Sequence, residues 1–315
     1  MATIETVSGP VEEEDLGLTL AHEHIRSTSE AVRANFPHLY DEQAELERAI
    51  AQFKEVADRG VKTIVEPTCM DLGRDVEVVR QVAEATGLQF VMCTGIYGSR
   101  YTFLPQYFAN REVDDLVDVF VHDIEEGIQG SDVKAAFLKC AVDEPGITED
   151  VEKVLRACAR ASQRTGRPIM SHSHPASGTG LKQMDVFDDE GVDPSKVVIA
   201  HTGDTDNLEY IEQLLSRGCY IGMDRYGIDL FLPIEPRNAT VIELCKRGHA
   251  EKMMLSQDYV SMLDWFPAEL ITQMVPKWSF TLVLDEIIPT LKEGGVADEQ
   301  IEAMMVQAPR RWLTS

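Results

Sequence analysis

Thr19-Leu-Ala-His-Glu-His24 ends an apolar run that begins at Leu16, and its reading decides the fold. Leu16 to Ala21 predicts a short buried strand, with two histidines at its end. Residues i and i+2 of a strand share a side, so His22 and His24 face one spot. Two converging imidazoles suit a borderline divalent metal, although a pair of surface or core histidines beside Glu23 fits the isolated motif equally well.

The pattern of this strand recurs downstream. Short apolar strands are expected at Val61–Pro67, Leu88–Thr94, Ala135–Cys140, Pro168–Ser171, Val197–Ala200, Cys219–Met223 and Met253–Ser256. Helical spacing separates them. Leu46, Ile50 and Phe53 share one face of 42–59, with Gly60 as its stop, and further helices are expected over 74–86, 112–128, 148–165, 180–190, 206–217 and 238–246. Thr148 caps the fourth of these helices without a full capping box, because Val151 stands at the third helical position. Residues 278–292 and 298–312 also read as helices. Eight strands alternating with helices imply parallel strands joined by right-handed crossovers, and so a single (β/α)8 TIM barrel spanning residues 1–315. An open doubly wound sheet is the alternative, but no GxGxxG follows the first strand.

Composition narrows the function. The chain carries 29 Lys+Arg against 54 Asp+Glu, a formal charge of −25. Such a field repels phosphate backbones and anionic membranes, so neither nucleic acid nor a membrane is an expected partner. No apolar run approaches the roughly 20 residues needed to cross a bilayer, and the N-terminus lacks the look of a signal peptide. The 6 cysteines are scattered through apolar runs without a CxxC pair. They read as reduced core residues of a cytoplasmic protein.

Metal-capable residues recur at the C-terminal strand ends. His22 and His24 end the first strand, Lys139 lies near the end of the fourth, His172 ends the fifth, His201 the sixth, and Asp258 follows the eighth. In a barrel these ends meet at one face, where active sites are built. Lys139 interrupts the apolar strand Ala135-Ala-Phe-Leu-Lys-Cys-Ala-Val142. A buried lysine needs a partner. It either pairs with Asp143 or Glu144, or reacts as the neutral amine with carbon dioxide to give a carbamate able to bridge two cations. His174, two residues past His172, reads as a loop residue.

Thr19-Leu-Ala-His-Glu-His24, Phe137-Leu-Lys139, Ser171-His172-Ser173, Ala200-His-Thr-Gly-Asp-Thr-Asp206 and Ser256-Gln-Asp258 together resemble the phosphotriesterase family of the amidohydrolase superfamily, over essentially the whole chain. Ser29-Glu-Ala-Val-Arg33, Pro37-His-Leu-Tyr40, Thr94-Gly-Ile-Tyr97, Asp143-Glu-Pro-Gly146, Gly222-Met-Asp-Arg-Tyr-Gly227 and Phe231-Leu-Pro233 resemble its phosphotriesterase-like lactonases more narrowly.

The resemblance implies two divalent metal ions, with zinc, cobalt, iron or manganese all compatible with the ligand types. His22, His24 and Asp258 would hold the more buried ion, and His172 and His201 the more exposed one. Carboxylated Lys139 and a hydroxide would bridge them. The bridging hydroxide would attack a lactone carbonyl, with Asp258 moving a proton toward the leaving alkoxide. Tyr97 would hydrogen-bond the lactone, and Arg225 would orient the loop after the seventh strand. Arg225 fits equally a plain ion pair with Asp224 or Asp229. Tyr226 and Trp265 either line an apolar channel for an acyl chain or belong to the core.

The implied activity is hydrolysis of N-acyl-homoserine lactones and related lactones (quorum quenching), with phosphotriesterase activity on the side. A primary organophosphate phosphotriesterase is the alternative, and a non-catalytic metal-binding barrel is a third reading. A homodimer is implied by the family. Two positions depart from its pattern. Gln257 stands where close relatives usually carry histidine, and the loop Gly98-Ser-Arg-Tyr-Thr102 is longer than theirs. The aromatic stretch from Gly98 to Asn110 is expected to lie as a loop over the site.

Overall fold

A computed structural model describes residues 2–98 and 104–315. Eight parallel strands follow one another in sequence order: β1 (Thr19–Leu20), β2 (Thr63–Glu66), β3 (Gln89–Gly95), β4 (Phe137–Ala141), β5 (Ile169–His172), β6 (Val197–Ala200), β7 (Tyr220–Met223) and β8 (Met253–Leu255). Helices α1 (Glu42–Asp58), α2 (Val76–Thr86), α3 (Val113–Glu125), α4 (Glu149–Thr165), α5 (Thr179–Asp189), α6 (Leu208–Ser216) and α7 (Ile234–Lys246) connect them. The architecture is the (β/α)8 barrel that the alternation predicts.

Local chemistry sets the boundaries. Asp41 and Asp75 accept backbone hydrogen bonds at the starts of α1 and α2, from Ala44 and Val78. Thr148 caps α4 by accepting from Val151 N at 3.4 Å, as its sequence position predicts. Helix α7 starts four residues earlier than the expected 238, just after Pro233. The two C-terminal helical segments, 283–293 and 298–313, each contain a π turn, Val283–Ile287 and Ala303–Gln307. Each turn precedes a proline inside the helix, Pro289 or Pro309. Proline has no N–H to donate and clashes with the preceding turn, which widens there. Residues 278–282, expected as helix, instead lead into the first segment. Trp278 Nε1 there donates to the carbonyl of Gln257 at 2.8 Å.

Two apolar layers build the core. Val65, Val91, Phe137, Met170, Val198 and Met254 fill the barrel interior, with Trp312 closing its lower end. Leu20, Ile64, Leu138, Ile199, Ile221 and Leu255 point outward against the helices. This alternation is the period of two that a barrel strand requires.

The barrel closes between β8 and β1 through the residues that follow them. Asp258 N donates to the His22 carbonyl at 3.0 Å, and His24 N donates to the Tyr259 carbonyl at 2.8 Å. Beyond that point His24–Ser27 and Val260–Leu263 run as a short parallel pair. Glu23 fastens the seam. Its fully buried carboxylate accepts from Ser256 Oγ, Gln257 N, Gln257 Nε2 and Tyr259 N, all at 2.7–2.9 Å.

Candidate active site

Strand alternation brings part of the site together. In β4, Phe137 points inward, so Lys139 does too, and in β5 Met170 and His172 share the interior side. In β3, Val91 and Cys93 point inward, which carries Tyr97 to the same side beyond the strand end. His201 breaks the rule. Ala200 already faces inward, so an extended chain would aim His201 out. A left-handed backbone, φ +63°, turns it back over the barrel mouth. Asp258 is also left-handed, φ +53°. Among the described residues only three non-glycine residues adopt positive φ, and two of them are metal-capable residues of the site. His22 and His24 lie just past β1, where the chain has left regular pairing to form the seam. Their rings nevertheless converge, with centroids 5.4 Å apart.

The six metal-capable residues form one buried cluster. Asp258 Oδ1 lies 3.4 Å from His22 Nε2 and 3.1 Å from His24 Nε2. Lys139 Nζ is 3.3 Å from His22 Nε2. Asp258 Oδ2 is 3.9 Å from His201 Nε2, and the rings of His201 and His172 are 4.5 Å apart. The Nδ1 atoms are engaged from behind. Thr68 Oγ1 is 2.7 Å from His24 Nδ1, and the two oxygens of Asp224 reach His22 Nδ1 at 2.9 Å and His201 Nδ1 at 3.1 Å. Three imidazoles are thus fixed with Nε2 toward a common centre, the arrangement in which histidine serves as a metal ligand. Burial, then the Lys139 charge, lowers the His22 pKa to about 3, so this ring is neutral and free to coordinate. Burial likewise lowers Lys139 below the usual lysine range, and among the described residues it makes no ion pair with Asp143 or any other carboxylate. That lowering favours the neutral amine, the form that adds carbon dioxide. Burial acts to raise Asp258, but the neighbouring His22 and His201 hold it well below the usual carboxylate range.

Asp224 is the member that the sequence reading missed. It stands two residues past Gly222 on the inner side of β7, and a side chain on Gly222 would collide with its carboxylate. The signal was present, because Asp224 is one more polar residue at a C-terminal strand end. Gly95 has a related role. A Cβ there would collide with the Lys139 carbonyl, so glycine lets β3 and β4 close beside the lysine.

Arg225 pairs with neither Asp224 nor Asp229. Its Nε donates to Asp258 Oδ2 at 2.8 Å and its Nη1 to Asp204 Oδ2 at 3.1 Å, while its guanidinium lies 4.9 Å from the ring centre of Phe231 in the loop after β7. Asp204 in turn accepts from the fully buried Arg237. Tyr97 OH lies 3.0 Å from His172 Nδ1. Asp71 holds the base of this residue, accepting from Tyr97 N and Gly98 N.

A cavity of about 380 Å³ opens above the cluster. One side is apolar, built by Ile228 and Phe231 after β7 and by Leu263, Trp265, Phe266 and Met274 after β8. Trp265 is therefore on the cavity wall. Tyr226 is not: it is fully buried in the outer core, near Arg237, which corrects the expectation that it lines the channel. Gln257 also points away from the site. Its amide bridges Glu23, the Phe280 carbonyl and Val283 N, so it serves the seam and the last helices. Of the expected loop over the site, residues 99–103 lie outside the described residues. Its later part folds as a short helix, Gln106–Ala109, with Phe108 buried. His174, expected as an ordinary loop residue, lines the cavity with Asp143.

Comparison with known proteins agrees with this geometry. The sequence model of the Phosphotriesterase family matches residues 2–313. An aryldialkylphosphatase of Saccharolobus solfataricus is 48% identical over 96% of this chain and 97% of its own length. A phosphotriesterase homology protein of Mycobacterium tuberculosis is 43% identical over 99% of this chain and 97% of its own. The solved structure of the phosphotriesterase from Mycobacterium tuberculosis superposes with a TM-score of 0.94 at 42% identity, covering 99% of this chain and 98% of that one. The chain belongs to the phosphotriesterase family and is a metal-dependent hydrolase.

Proposed function

We propose that this member of the phosphotriesterase family is a binuclear-metal lactonase that opens N-acyl-homoserine lactones and related lactones, a quorum-quenching activity, and hydrolyses organophosphates as a side reaction. The observation that carries this reading is the cavity itself. A metal-capable cluster forms its floor, and an apolar wall rises on one side from the loops after β7 and β8. A single acyl tail fits such a one-sided wall, and the volume lies in the ordinary range for a small-molecule site.

In this proposal His22, His24 and Asp258 would hold one ion, His172 and His201 would hold the second, and a carboxylated Lys139 would supply a ligand to both. The converging Nε2 atoms, the ionised Asp258 and a lysine without a carboxylate partner fit that donor set. When bound, a pair of divalent cations supplies a water ionised near neutral pH and Lewis-acid polarisation of the ester carbonyl. The chain's own groups do the rest. Trp265, Phe266 and Met274 seat the acyl tail and exclude water from one side. The Tyr97 hydroxyl, beside His172, hydrogen-bonds the lactone. Arg225 holds Asp258 ionised and oriented. Hydroxide would add to the carbonyl carbon, the Asp258 carboxylate would take up the proton of the added hydroxyl, and as the ring C–O bond breaks that proton would pass to the departing oxygen, giving the open hydroxy acid as its carboxylate.

The relative named aryldialkylphosphatase, at 48% identity, favours organophosphate triesters as the second reading. The two are separated by kcat/KM for N-decanoyl-homoserine lactone and for paraoxon on one metal-replete preparation. The lactone is expected to be preferred by about two orders of magnitude, the scale of one well-placed catalytic interaction. The reverse ranking makes this a phosphotriesterase. A cytoplasmic homodimer belongs to the same proposal. All 6 cysteines are buried and unpaired, and apolar side chains such as Phe36, Leu39 and Leu270 are exposed in the segments that follow β1 and β8.

A further inference from the structure

The cavity has two unlike sides. Its apolar wall comes from the loops after β7 and β8, whereas Tyr97, Asp143 and His174 come from those after β3, β4 and β5. Strands follow sequence order around the barrel, so these two arcs face each other across the metal-capable cluster.

His174 is built into this polar arc. Its backbone N donates to Thr179 Oγ1 at 2.7 Å, and that hydroxyl lies 3.2 Å from the carbonyl of Val142, next to Asp143. Its Nδ1 lies 2.8 Å from Ser177 Oγ. Among the described residues the Ser177 hydroxyl has no other side-chain partner, so it anchors the ring through Nδ1; when the hydroxyl donates there, the ring proton sits on Nε2. Nε2 itself has no partner among the described residues. The arc therefore presents the Nε2 edge of an anchored His174 ring and the carboxylate acceptor of Asp143.

We propose that His174 and Asp143 form a second binding point, which recognises an amide on the ring carbon beside the scissile carbonyl. This rests on the lactonase reading and deepens it. An amide offers one donor and one acceptor. Its N–H matches Asp143 and its carbonyl matches His174 Nε2, while the tail beyond it runs to the apolar wall. The site is then tuned to acylamino lactones over plain alkyl lactones. His174 selects the substrate, and its loss is read as lost discrimination.

The test compares N-decanoyl-homoserine lactone with γ-decalactone, which lacks the amide, in wild type, His174→Ala and His174→Gln. Loss of one such hydrogen bond lowers the ratio of kcat/KM between the two substrates about tenfold in His174→Ala, mainly through KM. His174→Gln keeps a side-chain N–H and recovers most of the ratio. The inhibition constant of N-decanoyl cyclopentylamide, which has the amide and no scissile ester, rises by a similar factor in His174→Ala, so binding is read without turnover. Equal losses on both lactones, an unchanged ratio, or an unchanged inhibition constant overturns the proposal. A wild type that opens neither lactone removes the lactonase reading and this inference with it, whereas a wild type active on both with an unchanged ratio removes the inference alone.

Discussion

Asp224 Oδ2 lies 2.9 Å from His22 Nδ1, and through its other oxygen the same carboxylate fixes His201. One residue on β7 thus aims two imidazoles from opposite flanks of the cluster. Asp224→Asn replaces one accepting oxygen with a donor and leaves one imidazole unsupported. Metal affinity is expected to fall by about 10- to 100-fold, as for other partners of ligating histidines. Competition with a chromogenic chelator measures it. Gly222→Ala should act in the same direction, because the added methyl displaces the Asp224 carboxylate. Wild-type affinity in Asp224→Asn would remove the aiming role.

Asp258 is in contact with two histidines and Arg225 at once. Asp258→Asn keeps the shape and removes the charge. Hydrolysis should fall by at least about 100-fold while the circular dichroism spectrum stays native, since both a metal ligand and a proton carrier are lost. A variant with wild-type turnover would contradict both roles.

Lys139→Ala should lose the metal pair, because the proposed carbamate would be what joins the two ligand groups. Added short carboxylates such as acetate or propionate should restore part of the activity by filling the same space. Metal analysis and rate are measured together across a carboxylate titration. Full metal content without rescue would exclude the carbamate.

Glu23 satisfies four donors at the seam between β8 and β1 with a fully buried carboxylate. Glu23→Ala should cost about 3 kcal/mol, the scale of stranding buried donors around a lost acceptor. Urea unfolding of the metal-free proteins reads this without contribution from bound ions. An unchanged midpoint would mean that the seam closes without Glu23.

The alternation of strand and helix was legible because each strand is a short apolar run and each helix repeats at its own period. Lys139 and His172 stood out in the sequence by residue type at strand ends, and period two in the folded strands explains why both reach the interior. His201 and Asp258 were found by their residue type at strand ends; period two alone would have aimed His201 outward, and only its left-handed backbone brings it in. Asp224 was overlooked because the adjacent Arg225 drew the ion-pair reading. Of the two places the sequence leaves open for Tyr226, channel wall or core, the structure takes the core. The role of Gln257 depends on Glu23 and on helices far along the chain, contacts that no local pattern displays.

The most direct test is metal titration of the chelated, metal-free enzyme, with bound cobalt or zinc and N-decanoyl-homoserine lactone hydrolysis measured on the same samples. Activity should be absent at the start and should rise until two ions are bound per chain. Undiminished lactone hydrolysis by the metal-free protein would contradict the account.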